Sequence, residues 1–257
     1  MLNYIKSECY RAIHAKGVYM AIGIMAAMVL AMNIVLALGG QYIPDFRYGS
    51  FRFSLNTLTA AIYSVVLLGA VVPGCIFMDD RRNGVLKNAV AYGISREKIF
   101  VGKCLVAFLF TFFILCAVEI VYVGSAWVLL DDPEWVPLRE MLMGIGAALP
   151  SAAASLIFMM LLGILFEKEM AAAIWWAAFY YLIPMAFSLV GLKLEAFAKI
   201  ASWMPYTFLR MEAIVSYSDY HCLWDTPAGL TKCIVSGVIG CAVFLGFGIW
   251  KVKKQEF

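Results

Sequence analysis

The chain has 257 residues, of which 64% are hydrophobic and only 14% are charged, and its formal net charge is +3. The mean hydropathy of +0.86 is far above that of a soluble globular protein, so the composition leaves little room for a soluble domain. We therefore predict a single all-α domain over residues 1–257 that crosses a bilayer several times, with no nucleic acid partner.

The N-terminal segment, residues 1–16, has the spacing of an amphipathic helix. Its apolar face would bring together Leu2, Ile5, Cys9 and Ile13. The pattern predicts an interfacial helix that lies on the cytoplasmic leaflet. An ordinary basic tail is the alternative, because Lys6 lies at the edge of the apolar face.

Six apolar runs follow, each near the length of about 20 residues that a helix needs to cross a bilayer. They cover residues 17–38, 55–78, 104–130, 141–166, 171–190 and 230–250. Pro73 lies near the end of the second run and is expected to bend that helix. Residues 191–229 mix aromatic, apolar and charged side chains, and we expect an interfacial or re-entrant helix within them.

The fourth run contains two neighbouring stripes of small residues at helical spacing. One stripe is Gly144, Ala148 and Ala152, and the other is Ala147, Ser151 and Ser155. Small side chains let membrane helices approach closely, so we expect this run to pack against other helices rather than lipid. A role in lining a substrate path is the alternative.

The longest polar interruption covers residues 77–103, between the second and third runs. It contains six basic residues, which favours a cytoplasmic position. Four apolar residues fall on one face of a short predicted helix: Val85, Leu86, Ala89 and Val90. Gly93 would end that helix in a left-handed conformation, and Ser95 would cap the next helix, with Glu97 in its first turn. From these residues alone, a solvated loop that only fixes the topology is equally open.

The order of residues in this interruption resembles the first cytoplasmic loop of type-2 ABC-transporter permeases. The matching positions are Asp79, Asp80, Arg81, Gly84, Lys87, Ser95, Arg96 and Lys103. The layout of six spans over about this length resembles that family too. There the loop is a coupling helix that sits in a groove of an ATPase subunit, which would make residues 79–98 the coupling loop here. The coupling residues that this implies are Asp79, Asp80, Arg82, Val85, Leu86, Ala89, Val90 and Arg96.

The resemblance implies a permease subunit of an ATP-driven transporter in the cell membrane. Both termini would be cytoplasmic, which agrees with the positive-inside rule. The partners would be ABC ATPase subunits, a second permease half (the same chain or a homologue) and the lipid bilayer. Compact permeases of this kind export antibiotics or antimicrobial peptides, so we expect a peptide, an antibiotic or a lipid-like substrate. The alternatives are a self-sufficient secondary transporter, and a membrane enzyme or non-transporting scaffold.

The sequence contains no G-x-x-x-x-G-K-[ST] loop to hold phosphates, and it has only two histidines. We therefore expect no metal and no cofactor in this chain, with ATP bound by a partner subunit. The seven cysteines include no C-x-x-C pair, and their odd number argues against a disulfide framework.

Glu119 is the one acidic residue well inside an apolar run. A charge at the bilayer centre costs about 2.5–3.5 kcal/mol on insertion scales, so this carboxyl group must be neutralised, paired or hydrated. Two interpretations stay open: a hydrogen bond to a neighbouring helix, for which Asn33 is a candidate, and a position on the translocation path. Tyr122, one helical turn away, is the local hydrogen-bonding candidate. The candidate path residues are Glu119, Asn33 and Tyr122.

ATP hydrolysis should require a second polypeptide, because the sequence contains no phosphate-binding loop. We expect the purified chain alone to release no phosphate above the rate of empty vesicles, and its complex with an ATPase subunit to hydrolyse ATP. Phosphate release from the two preparations checks this. Robust hydrolysis by the isolated chain would contradict the prediction.

Overall fold

The computed structural model describes residues 2–77, 89–166, 168–215 and 220–254, which form an almost entirely helical fold. A π-helical turn at Ala178–Leu182 interrupts one long helix, α7. The helices are α1 Leu2–Ile13, α2 Lys16–Tyr42, α3 Phe51–Ala60, α4 Ser64–Phe77, α5 Arg96–Leu129, α6 Trp135–Leu165, α7 Glu169–Gly191, α8 Glu195–Ala201 and α9 Pro227–Lys254.

Five helices within the described residues are long and apolar enough to cross a membrane: α2, α5, α6, α7 and α9. The pair α3 and α4 forms a further candidate, bent by 65° at a short break. The described residues therefore contain five candidate spans, or six if the bent pair is one span. The prediction of an all-α polytopic membrane protein is confirmed, and each predicted apolar run falls on one of these helices or on the bent pair.

The bend between α3 and α4 has a local cause. Thr57 and Thr59 each donate a side-chain hydrogen bond to the carbonyl four residues earlier, over 2.8 and 2.9 Å. Hydroxyl groups that bond back in this way bend helices. The helix is broken at residues 61–63, so this bend lies well before the proline at which we expected one. Pro73 is accommodated inside α4.

Side chains from distant elements bind carbonyl groups at the irregular points of the backbone. The Arg210 guanidinium donates a hydrogen bond over 3.0 Å to the carbonyl of Ala60, the last residue of α3. The Tyr63 hydroxyl donates over 2.8 Å to the carbonyl of Tyr180, within the π-helical turn. Each of these bonds joins the bend to a later part of the chain.

α6 is the central helix of the fold and packs along both α4 and α9. All six residues of its small-residue stripes are buried. Gly69 of α4 lies so close to Ala152 that no side chain fits between the two helices, and Gly237 of α9 is equally close to Pro150. The expectation that this run packs against helices rather than lipid is confirmed.

Ser155 adds two hydrogen bonds between helices at the centre of this packing. Its hydroxyl donates to the Val66 carbonyl of α4 over 2.8 Å and accepts from the Trp176 indole N–H of α7 over 2.9 Å. Short polar side chains commonly join membrane helices in this way. One serine therefore ties α4, α6 and α7 together.

The segment between α7 and α9 is folded against the helices. After α8 it forms a π-helical turn at Thr207–Met211, and then a short antiparallel hairpin of Ile214–Val215 with Tyr220–His221. Trp224 follows, fully buried against Gly144 of α6. The sequence predicted an interfacial or re-entrant helix here. α8 is a helix in this segment, and its position relative to the membrane stays a prediction. The sequence did not indicate the hairpin, because strands of two residues have no detectable periodicity.

Six cysteines are free thiols: Cys9, Cys104, Cys116, Cys222, Cys233 and Cys241. Burial raises the pKa of the Cys222 thiol, which lies between the hairpin and α9, to about 12. This thiol therefore stays protonated at physiological pH and behaves as a small apolar side chain.

Ala148→Leu should lower the stability of the chain, because Ala148 is fully buried in the packed face of α6. Overpacking of this kind costs about 1–3 kcal/mol, so the midpoint of thermal unfolding in detergent should fall. Gly146→Leu is the matched control, since Gly146 is exposed on the same helix and has open space around its Cβ position. An unchanged midpoint for Ala148→Leu, or an equal fall in both variants, would contradict the prediction.

Candidate functional site

A well-defined turn leads into α5. Gly93 has a φ of +80°, in the left-handed region that glycine adopts without strain. Its N–H donates to the Val90 carbonyl over 2.9 Å, and the N–H of Ile94 donates to the Ala89 carbonyl over 3.2 Å. These bonds form a Schellman motif, so a helical turn ends at this glycine as predicted. Ser95 follows as the N-cap residue of α5, but its side chain makes no capping hydrogen bond.

The structure describes only some of the predicted coupling residues. Those outside the described residues are Asp79, Asp80, Arg82, Val85 and Leu86. Ala89 and Val90 are half-buried and contact an apolar cluster that contains Tyr4 and Ile99. This part of the predicted ATPase-facing surface therefore lies against α1 and α5 in the isolated chain. Arg96 begins α5 and is half-buried.

A buried ion pair joins α1 to α5. The Lys103 ammonium lies 3.1 Å from one carboxylate oxygen of Glu8, and only 5% of each side chain is exposed. The Arg11 guanidinium lies 2.7 Å from the other oxygen of the same carboxylate. Two cations thus bind one buried carboxylate, and removal of one partner from such a pair typically costs about 3–5 kcal/mol.

The sequence analysis did not find this ion pair because α1 buries a different face from the predicted apolar one. The buried residues of α1 are Tyr4, Glu8 and Ala12. Leu2 and Ile13, on the predicted face, are 73% and 48% exposed. A glutamate in an amphipathic helix normally indicates the solvent side, and only the position of Lys103 on another helix shows otherwise. The exposed apolar residues leave the interfacial position of α1 a prediction.

A second ion pair brings the end of α9 to the same place. The Lys253 ammonium lies 3.2 Å from a carboxylate oxygen of Glu97, in the first turn of α5. Gly248 of α9 lies against the Phe100 ring with no space for a side chain. Residues 2–13, 89–103 and 248–254 therefore lie together at one end of the helix bundle. We call this region the coupling end, after the coupling role that the sequence predicts for residues 79–98.

Further along α5, a polar cluster joins three helices. The Asn33 amide of α2 is fully buried and donates hydrogen bonds to the Tyr122 carbonyl over 3.0 Å and the Ser125 hydroxyl over 2.7 Å. The Ser54 hydroxyl of α3 donates to the Asn33 amide oxygen over 2.6 Å. The Tyr122 hydroxyl donates to the Ser54 carbonyl over 2.6 Å. Asn33 and Tyr122 thus hold α2, α3 and α5 together, and their place on a translocation path stays a prediction.

Glu119 lies one helical turn before Tyr122 and takes no part in this cluster. Its Oε2 atom is buried and has no hydrogen-bond partner within the described part of the chain. The suggested bond to Asn33 is not formed, because that amide is engaged by other groups. The next residue, Ile120, is 72% exposed. Glu119 is therefore a half-buried carboxyl group with unused hydrogen-bonding capacity, close to the outer surface of α5.

Histidine, cysteine and carboxylate side chains are spread over the part of the chain that the structure describes. No group of three or more histidine, cysteine or carboxylate side chains there is placed to hold a metal ion. The two histidines are on separate elements, since His14 follows α1 and His221 lies in the hairpin. The features that stand out are the coupling end, the polar cluster and Glu119.

No curated protein and no solved structure shows significant similarity to this chain. Among protein families, the one described as ABC-2 family transporter protein matches residues 4–185. The match covers more than half of the chain and extends from α1 into α7, so it includes the start of α5, the polar cluster and Glu119. The chain therefore belongs to the ABC-2 family of transporter proteins, and it is a multi-pass membrane permease component of an ABC transporter.

Proposed function

We propose that this chain is the membrane-spanning subunit of an ATP-driven exporter whose ATPase subunits are separate polypeptides. The family match over residues 4–185 is the observation that carries the proposal. The proposed substrates are peptides, antibiotics or lipid-like molecules, because the length and the small loops resemble those of compact permeases that export such compounds.

The coupling end supports a route from the ATPase to the membrane. An ATPase that moves residues 79–98 would act on α5 through one short turn, because the Schellman motif at Gly93 directly precedes that helix. α5 has 34 residues and is therefore about 50 Å long, more than the thickness of the hydrocarbon core. A displacement of its first turn is thus transmitted along one continuous helix to the polar cluster and Glu119.

α1 is proposed to move with α5. The ion pair between Glu8 and Lys103 is buried, and the Tyr4 ring lies directly against Gly102. Separation of the two helices would break this buried ion pair, which is costly. The permease side of the coupling joint therefore consists of α1 together with the first turns of α5.

The proposed orientation places the coupling end in the cytoplasm. Residues 77–103 carry a high density of lysine and arginine, which favours the cytoplasmic side. The ion pairs of Glu8 with Lys103 and of Glu97 with Lys253 bring α1 and the end of α9 to that side as well. Cytoplasmic termini are consistent with both arguments.

A second permease half, the same chain or a homologue, is proposed to complete the transporter. In the apolar 18-residue stretch of α2, only 6% of the residues are buried, whereas 61% are buried in the corresponding stretch of α6. Such an open surface suits contact with lipid or with a second half. Glu119, close to the exposed surface of α5, is proposed to line the translocation path and to meet a cationic part of the substrate.

Leu86→Asp should uncouple the permease from its ATPase, because the apolar face of Val85, Leu86, Ala89 and Val90 is proposed to insert into the ATPase groove. We expect loss of co-purification and of transport, with membrane insertion unchanged. Ala91→Asp is the matched control, since Ala91 is exposed and lies off that face. Normal co-purification and transport by Leu86→Asp would refute the assignment of this loop.

Glu119→Gln separates the two interpretations of this residue, since it retains the shape and hydrogen-bonding groups but removes the charge. If Glu119 lines the path, transport of cationic substrates should fall selectively, while assembly and basal ATPase activity stay normal. Glu134→Gln is the control, because Glu134 is a half-exposed carboxylate paired with Arg52 on the surface. Equal transport of cationic and neutral substrates by Glu119→Gln would remove Glu119 from the path.

A further inference from the structure

A cavity of about 210 Å³ lies between α6, α7, α9 and the segment that follows α8. Its lining is almost entirely apolar and is rich in aromatic rings, among them Phe179, Tyr180, Trp203 and Phe244. For comparison, an apolar cavity of about 150 Å³ stays dry and binds benzene. The space is therefore large enough for a run of several hydrocarbon carbons and offers little to a polar ligand.

The cavity is a consequence of the helix geometry. The π-helical turn at Ala178–Leu182 lies at its wall, and turns of this kind are frequent at functional sites. Gly237 and Gly240 of α9 face the same space without side chains to fill it. The close approach of both glycines to α6 keeps them free of side chains, because an added Cβ at Gly240 would lie 2.9 Å from the Ala154 side chain.

The rim of the cavity faces lipid. Ile183, Trp203 and Ile239 line the cavity and are 37%, 49% and 54% exposed. The residues that α9 contributes, from Ser236 to Phe244, lie in the middle third of that helix. At this depth of a membrane-spanning helix, exposed apolar side chains contact hydrocarbon. The cavity is therefore reached sideways from the bilayer.

The Lys232 ammonium lies beside Trp203, at the mouth of the cavity. The Lys232 ammonium is 5.7 Å from the centre of the Trp203 ring, one helical turn nearer to the start of α9 than Ser236. The Ser236 hydroxyl donates to the Trp203 carbonyl over 2.7 Å, which fixes that residue against α9. No ion pair joins Lys232 to a carboxylate within residues 2–77, 89–166, 168–215 or 220–254. Its charge is thus available to an anion at the membrane surface.

We infer that this cavity binds one acyl chain of an anionic phospholipid whose phosphate contacts Lys232. An apolar space that opens into hydrocarbon favours binding of a lipid acyl chain. A cation at the end nearer the membrane surface favours an anionic headgroup. The lipid would fill the space between α7 and α9 and hold the segment after α8 in place. The inference does not depend on transport, so it stands or falls separately from the proposed function.

The test is photolabelling of the full chain in phosphatidylcholine vesicles. The probe is a phosphatidylglycerol with a diazirine on one acyl chain, and labelled residues are located by mass spectrometry. We expect the label to concentrate on the cavity lining, above all on Tyr180, Phe179 and Phe244, and to be displaced by unlabelled phosphatidylglycerol. A phosphatidylcholine probe with the same acyl chain should label these residues less.

Two pairs of variants test the binding of the acyl chain and the binding of the headgroup separately. Ile183→Trp should plug the mouth and reduce labelling, whereas Val190→Trp should not, since Val190 is 43% exposed on the same helix but outside the lining. Lys232→Gln should lower the preference for the anionic probe by about fivefold, the contribution of one lysine near an anionic surface. Lys193→Gln, at an exposed lysine, should leave the preference unchanged.

Several results would overturn the inference. Even labelling of α2, α5 and α9 would mean only general lipid contact, and equal labelling by the two probes would exclude selection of an anionic headgroup. Unlabelled cavity residues would mean that no lipid chain enters. The location of the label and the comparison of probes are both measured on the unmodified chain, so they decide the question even if a variant does not fold.

Discussion

The membrane core supplies no water to an unpaired backbone group, so a break such as the one between α3 and α4 needs hydrogen-bond partners from elsewhere in the protein. The Ala60 carbonyl at the break accepts a hydrogen bond from Arg210, and Tyr63 just after it donates to the Tyr180 carbonyl in the π-helical turn of α7. A hydrogen bond thus joins the break between α3 and α4 to the π-helical turn of α7. The segment after α8 has to fold back onto the helices in order to bring Arg210 to the break.

The sequence was most informative where a pattern is long or locally determined. Apolar runs of about 20 residues correctly indicated the helices. Gly93 indicated the end of a helical turn, because the left-handed conformation that ends the turn depends only on this residue and its neighbours. The two stripes of small residues likewise indicated that α6 packs against other helices. In each case the physical cause is present within a few consecutive turns of the chain.

Sequence reasoning failed where the cause is a partner elsewhere in the fold. Glu8 is buried only because Lys103 faces it, and Asn33 bonds to Ser54 and Tyr122 rather than to the nearby carboxyl group of Glu119. The position of the bend depends on two threonine hydroxyl groups, whereas a proline is the stronger signal in a sequence. The bonds of Glu8 and of Asn33 do not follow from periodicity, since each joins residues of different helices; the threonine bonds lie within α3.

The bond between Arg210 and Ala60 also orders events during synthesis, because it joins residues 150 positions apart. A chain made from its N-terminus inserts α3 and α4 before that arginine has been translated. At about 5–20 residues per second, the delay is on the order of ten seconds. During this time the Ala60 carbonyl lacks the hydrogen bond from Arg210. The hydrogen bond that joins this break to the segment after α8 therefore forms late in biogenesis, when most of the chain has already entered the membrane.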